Sequence, residues 1–191
     1  MRNLSIILIL LFTIGVTSAA DKAEPMKPAL LVIDIQNVYL DWMSQEDQDR
    51  VFQYINASIK IFRDAGLPII RVYNTDPDYG PPQGTEEFEF TEKVPMLPDD
   101  PMVIKNYANG FKKTDLQKFL KKNDVNTLFL CGLSATGCVL ATYHGAKDLD
   151  YETFMIKNAL LSPKVNYTKS VEEIFDAMPY SALRLLINNM N

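Results

Sequence analysis

Ala29-Leu30-Leu31-Val32-Ile33 is apolar at every position, without the alternation of a strand that faces water on one side. Such a run reads as a strand buried on both faces, and burial on both faces belongs to a parallel sheet covered by helices. The pattern repeats at Leu67 to Tyr73, Pro101 to Ile104 and Thr127 to Cys131. Between the first two runs, from Gln45 onward, Val51, Ile55, Ile59 and Phe62 recur at helical spacing, and Gly66 is a natural stop. Strand, helix and strand in that order make a right-handed βαβ unit. Thr114 reads as the cap of a second helix carrying Leu116, Phe119 and Leu120. A third helix runs from Cys138 to about Leu149, with Val139, Tyr143 and Ala146 on one face. Tyr151 to Ile156 falls where a fifth strand belongs, Ser170 to Met178 reads as an amphipathic helix, and Ser181 to Ile187 as a sixth strand. The expected architecture is α/β, a single-domain doubly wound parallel sheet of about six strands with helices on both faces, formed by residues 21–191.

Residues 1–20 stand apart and read as a signal peptide. Arg2 is a basic head, Leu4 to Val16 is almost wholly apolar, and Thr17-Ser18-Ala19-Ala20 supplies small residues for cleavage. The apolar core is too short to cross a bilayer, so the expected location is secreted or periplasmic, with no membrane contact after signal cleavage. Lys and Arg number 19 against 24 Asp and Glu, a net charge of −5, and no basic cluster occurs. That balance argues against nucleic acid or an anionic membrane as partner.

The chemistry concentrates where the run ending at Cys131 meets the small residues Gly132 to Gly137 and a helix begins at Cys138. Exposed N–H groups at a helix start favour a thiolate, the nucleophilic form, and can receive the oxyanion of an attacked carbonyl. Packing alone is the alternative role for a cysteine at such a junction. A disulfide between Cys131 and Cys138 is disfavoured, because one lies within a strand and the other beyond a turn. His144, the only histidine, lies six positions beyond Cys138 on the same helix, about 240° around the axis and about 9 Å along it, and cannot serve as its base. The remaining candidates are Asp34 and Lys105, which follow the first and third strands. Asp34 can take the thiol proton if burial raises its pKa, and Lys105 can stabilise an anion beside it. Topology alone brings these three residues to one crevice at the carboxyl edge of the sheet.

Asn74 to Asp100 has no sustained period and reads either as a wall or lid of the pocket or as a solvated excursion. Asp76 and Asp78 within it lack an accompanying histidine, which argues against a transition-metal site. Gln36, Tyr39, Trp42, Tyr73 and Tyr107 are expected pocket residues, a mostly aromatic set suited to a small flat ligand.

Leu31-Val32-Ile33-Asp34-Ile35-Gln36-Asn37, then Lys105-Asn106-Tyr107-Ala108-Asn109-Gly110-Phe111 with Thr114 and Leu116, then Gly132-Leu133-Ser134-Ala135-Thr136-Gly137-Cys138-Val139 with Ala141-Thr142, occur in this order. Together they resemble the isochorismatase-like cysteine hydrolases, the family of nicotinamidases, N-carbamoylsarcosine amidohydrolase and ureidoacrylate or biuret hydrolases. The resemblance implies a Cys-Asp-Lys triad on Cys138, Asp34 and Lys105. It also implies an oxyanion hole from the N–H groups of Ser134 and Cys138, and a cis peptide joining Leu133 to Ser134. It implies hydrolysis of a C–N bond in a small amide or N-carbamoyl compound through a thioester, without a cofactor, in a homo-oligomer. Two departures narrow this expectation. The histidines that hold a metal in nicotinamidases have no counterpart after the second strand, and Leu140 stands where related amidases commonly carry an arginine. Two rivals keep the same fold: a catalytically silent small-molecule-binding protein, and a redox protein using Cys131 and Cys138.

Overall fold

A computed structural model describes residues 24–190. The signal peptide read at residues 1–20 lies outside the described residues. The chain runs β1 (Pro28–Ile33), α1 (Asn37–Leu40), α2 (Gln45–Asp64), β2 (Ile69–Asn74), β3 (Met102–Lys105), α3 (Leu116–Lys122), β4 (Thr127–Leu133), α4 (Cys138–Lys147), β5 (Glu152–Leu161), α5 (Val165–Ile174) and α6 (Tyr180–Asn188). The strands form one sheet in the order β3-β2-β1-β4-β5, with every pairing parallel. Because β1 is central, its side chains supply both layers. Leu30 and Val32 enter one core with Ile55, Ile59 and Phe62 of α2 and Leu183 and Ile187 of α6. Ala29, Leu31 and Ile33 enter the other, with Leu116 and Leu120 of α3, Val139 and Ala146 of α4 and Val171 of α5. Each such Leu, Ile or Val stabilises the fold by roughly 1.5–3 kcal/mol through burial, which outweighs the weak propensities of any single element. The α2 helix is also fixed at its ends: the Ser44 hydroxyl accepts from the Asp47 N–H at 3.1 Å, Glu46 and Asp47 lie in its first turn, and Arg63 in its last.

The sheet has five strands, and Ser181 to Ile187 is helical. Leu183 and Ile187, four residues apart, bury one stripe against the α2 layer while Leu185 stays exposed, a helical division of faces that a strand would not give. The fifth strand extends to Leu161 and carries an irregularity. Asn158 there has φ 64°, and its N–H donates to the buried Glu172 carboxylate of α5 at 2.6 Å. That helix starts at Val165, earlier than the sequence pattern places it. The N-cap of α3 is Asp115, one residue beyond Thr114, but the Thr114 hydroxyl still serves the helix start: its Oγ1 accepts from the Leu116 N–H at 3.3 Å and donates to Gly110 O at 2.6 Å.

After β1 the chain winds to one edge of the sheet and then returns to β4 on the opposite side of β1, so a crevice opens between the carboxyl ends of β1 and β4. Gly132 sets how closely these ends approach. It pairs with Ile33, has φ 115°, and a Cβ there would lie 2.1 Å from Ile33 O. Gly132→Ala is therefore expected to destabilise the fold by about 3 kcal/mol or more, because backbone on both sides must shift. Urea unfolding measures this, and a loss below about 1 kcal/mol would contradict it.

Candidate active site

Asp34 directly follows β1 and adopts φ 52°, a left-handed conformation that aspartate tolerates better than most residues. Lys105 is the last residue of β3, two strands away. Its Nζ donates to Asp34 Oδ2 at 2.8 Å, with the two side chains 0% and 3% exposed. A buried ion pair this close is stable only while both partners remain. Asp34 Oδ1 is buried and accepts no well-formed hydrogen bond. The group beside the carboxylate is the Cys138 thiol at the start of α4, near enough for each to shift the other's pKa.

Burial pushes the Asp34 carboxyl above its ordinary value, against the pull of the Lys105 ammonium. The thiol of Cys138 is pushed up to about 12, first by burial and then by the Asp34 charge, with Lys105 acting in the opposite sense. The sequence alone favours a thiolate at this helix start; desolvation and the neighbouring carboxylate instead hold the resting thiol neutral. One ammonium is thus matched by one anion, and a single proton is available to the carboxylate and the thiol.

The peptide between Leu133 and Ser134 is cis. Ser134 O accepts from the N–H groups of Gly137 at 2.9 Å and Val139 at 3.1 Å, so the Cys138 N–H, between them in sequence, is not drawn to this carbonyl. It belongs to the first turn of α4, where helix geometry supplies no internal acceptor. A cavity of about 380 Å³ opens onto the thiol, lined by Asp34, Tyr39, Trp42, Asn74, Asp76, Tyr79, Ala108, Leu133, Ser134 and Cys138. Among the described residues, no group of three or more His, Cys, Asp or Glu side chains is placed to hold a metal ion.

A family model described as the isochorismatase domain matches residues 28–178. The chain belongs to that family. Among its relatives, the isochorismatase family protein YddQ of Bacillus subtilis is 30% identical over 141 residues, covering 70% of this chain and 77% of its own. Maleamate amidohydrolase of Pseudomonas putida is 23% identical over 156 residues, covering 70% and 72%. The solved structure of N-carbamoylsarcosine amidase from Thermoplasma acidophilum superposes with a TM-score of 0.70 at 24% identity, covering 81% of this chain and 95% of that one. At that identity it speaks for the fold alone.

Within this isochorismatase domain the expected pocket residues divide. Tyr39 and Trp42 line the cavity beside Cys138, their rings edge to face at 5.4 Å. Gln36 lies beneath it, fully buried. Its Nε2 donates to Asn74 O at 3.1 Å and its Oε1 accepts from Asn74 N at 2.7 Å, tying the ends of β1 and β2 together. Tyr73 is not in this cavity: its ring packs on Phe88 at 4.7 Å and Phe90 at 4.3 Å, because adjacent residues of β2 face opposite ways and Asn74 takes the inward position. Tyr107 lines the adjoining cavity with Lys112 and Lys113. The long segment after β2 also divides, since Asp76 and Tyr79 form cavity wall whereas Phe88, Phe90 and Val94 are core residues. Asn74, whose Nδ2 donates to Tyr39 Oη at 3.0 Å, also belongs to the cavity wall; like Lys105, it ends a strand at the carboxyl edge, which is the signal that marks it. Cys131 and Cys138 are both free, and the Cys131 thiol donates to Leu31 O at 3.6 Å inside the core shared with α2.

Proposed function

We propose that this chain is a cysteine amidohydrolase that cleaves the C–N bond of a small amide or N-carbamoyl compound through a thioester on Cys138. The observation that carries the reading is the buried Asp34–Lys105 pair with a thiol against its carboxylate, at the floor of a cavity sized for a small ligand. Such a pair adds little to stability compared with apolar packing, so its burial beside a nucleophile is better explained by chemistry. A relative named maleamate amidohydrolase supports the amide class.

In the proposed cycle Asp34 takes the Cys138 proton as the sulfur attacks the carbonyl. The negative charge leaves the carboxylate and passes to the substrate oxygen, where the N–H groups of Ser134 and Cys138 receive it. Lys105 remains beside the acid throughout and offsets whichever group is anionic. The Asp34 O–H then protonates the departing nitrogen, the C–N bond breaks, and the acyl group remains on sulfur. A water that loses its proton to Asp34 attacks the thioester, which releases the acid and returns the proton to the thiol.

The test is ammonia release from a panel of small amides and ureides, with Cys138→Ala as control and mass spectrometry of the quenched enzyme for the acyl adduct. Ammonia release that survives Cys138→Ala would overturn the assignment. The pH profile follows from the Asp34 carboxyl. A base acts only when unprotonated, and burial raises this pKa above its ordinary 3.8. The acid limb of kcat/KM is therefore expected above 3.8 and to fall as pH drops through the raised pKa; a limb at or below 3.8 would contradict the role.

A further inference from the structure

We propose that the substrate carries a cationic group at the end remote from its scissile carbonyl, held by Asp76 between Trp42 and Tyr79. This rests on the amidohydrolase reading and names its substrate class. The cavity above Cys138 has two charged residues in its lining, Asp34 and Asp76. The first is matched by Lys105. Asp76 lies in the outer wall, and its Oδ1 accepts only a turn hydrogen bond, from the Asp78 N–H at 2.9 Å. Beside it in the same lining stand Trp42 and Tyr79, 57% and 70% exposed, large rings that the fold does not cover. Aromatic faces next to a carboxylate attract ammonium or guanidinium groups and repel carboxylates.

Asp76 also borders an adjoining cavity that holds two lysines, neither of them within ion-pair distance of its carboxylate. Lys112 and Lys113 line that adjoining cavity rather than the one above Cys138, and their Nζ atoms lie over the Tyr107 ring, 4.1 and 5.4 Å from its centroid. Lys113 also donates to Tyr107 Oη at 3.2 Å. No lysine, arginine or histidine lines the cavity of the nucleophile. An acid-bearing amide would therefore meet uncompensated negative charge there, and a cationic one a partner.

Two measurements on the full chain test this. In the first, Cys138 is modified by methanethiosulfonates of similar size carrying trimethylammonium, methyl or sulfonate, each rate divided by that for free 2-mercaptoethanol, with Cys138→Ala reporting any reaction at Cys131. The trimethylammonium reagent is expected to exceed the sulfonate by more than about tenfold, a ratio of the size electrostatic steering gives. Asp76→Asn, which keeps the turn acceptor, should remove most of that ratio, and Trp42→Ala part of it. Equal rates, a preference for sulfonate, or a ratio untouched by Asp76→Asn would overturn the proposal. In the second, kcat/KM is compared for 5-aminopentanamide, hexanamide and the monoamide of adipic acid. The expected order is that in which they are named, with Asp76→Asn lowering the first alone. If no amide is hydrolysed but the thiol keeps its charge preference, the amidohydrolase reading fails and the cation subsite stands. If amides are hydrolysed with the carboxylate or the neutral compound preferred, the subsite fails and the hydrolase stands.

Discussion

Asp34→Asn is expected to slow turnover by about 10²- to 10⁴-fold, the usual contribution of a general base, while making Cys138 a faster target for iodoacetamide at neutral pH. The opposite directions follow from the charge arrangement. In the wild-type site the thiol is held neutral by burial and by the Asp34 charge, so its proton leaves only when a carbonyl is present to take the negative charge onward. Asparagine removes the repelling charge but leaves Lys105, which is fully buried and then has no anion except the thiolate. The substituted site stabilises a reactive sulfur that has no group to accept and return its proton. Alkylation is followed by mass across neutral pH beside turnover of the best amide substrate. Slower alkylation in Asp34→Asn than in wild type would mean that the carboxylate activates the resting thiol, and the proton inventory given above would be wrong.

Lys105→Met is expected to destabilise the fold by about 3–5 kcal/mol at neutral pH and to abolish turnover. Methionine fills much of the lysine's space, so the loss comes from leaving Asp34 charged and buried without a partner. The cost should shrink at lower pH. Burial already raises the Asp34 pKa in the folded chain, and removing the ammonium raises it further, since Lys105 is the largest influence lowering it. A group whose pKa is raised by folding binds more protons in the folded state, so its contribution is greatest below the ordinary 3.8 and is lost as pH climbs through the raised value. The pair Asp34→Asn with Lys105→Met should recover most of the stability, since no buried charge remains, while activity stays absent. Urea unfolding of the two single variants and the double variant at two pH values measures this cycle. Equal instability of the double variant would show that packing, rather than charge, holds the strand ends together.

The α/β class was legible because β1 and β4 are apolar on both faces and are separated by segments of helical period, a combination that fits a parallel sheet covered by helices. The helix α2 was legible from its period and its Ser44 cap. Ser181 to Ile187 was misread because a short apolar run fits a strand or a helix equally, and only packing against α2 selects between them. The inner pocket was legible in part. Tyr39 and Trp42 follow β1 on the same connection as Asp34, so proximity in the chain carries them to the cavity. Tyr73 and Tyr107 were misplaced, because one residue of strand register or one turn of a loop reverses where a side chain points.

By itself the sequence determined that Asp34, Lys105 and Cys138 meet: each follows, ends or opens an element at the carboxyl edge of a parallel sheet, and the winding of such sheets leaves those edges one crevice to share. Tertiary structure alone decided the protonation of that trio and the character of the cavity above it. Both depend on which groups lose water and which charges face them, and exclusion of water is a property of the assembled layers that no local stretch of chain encodes.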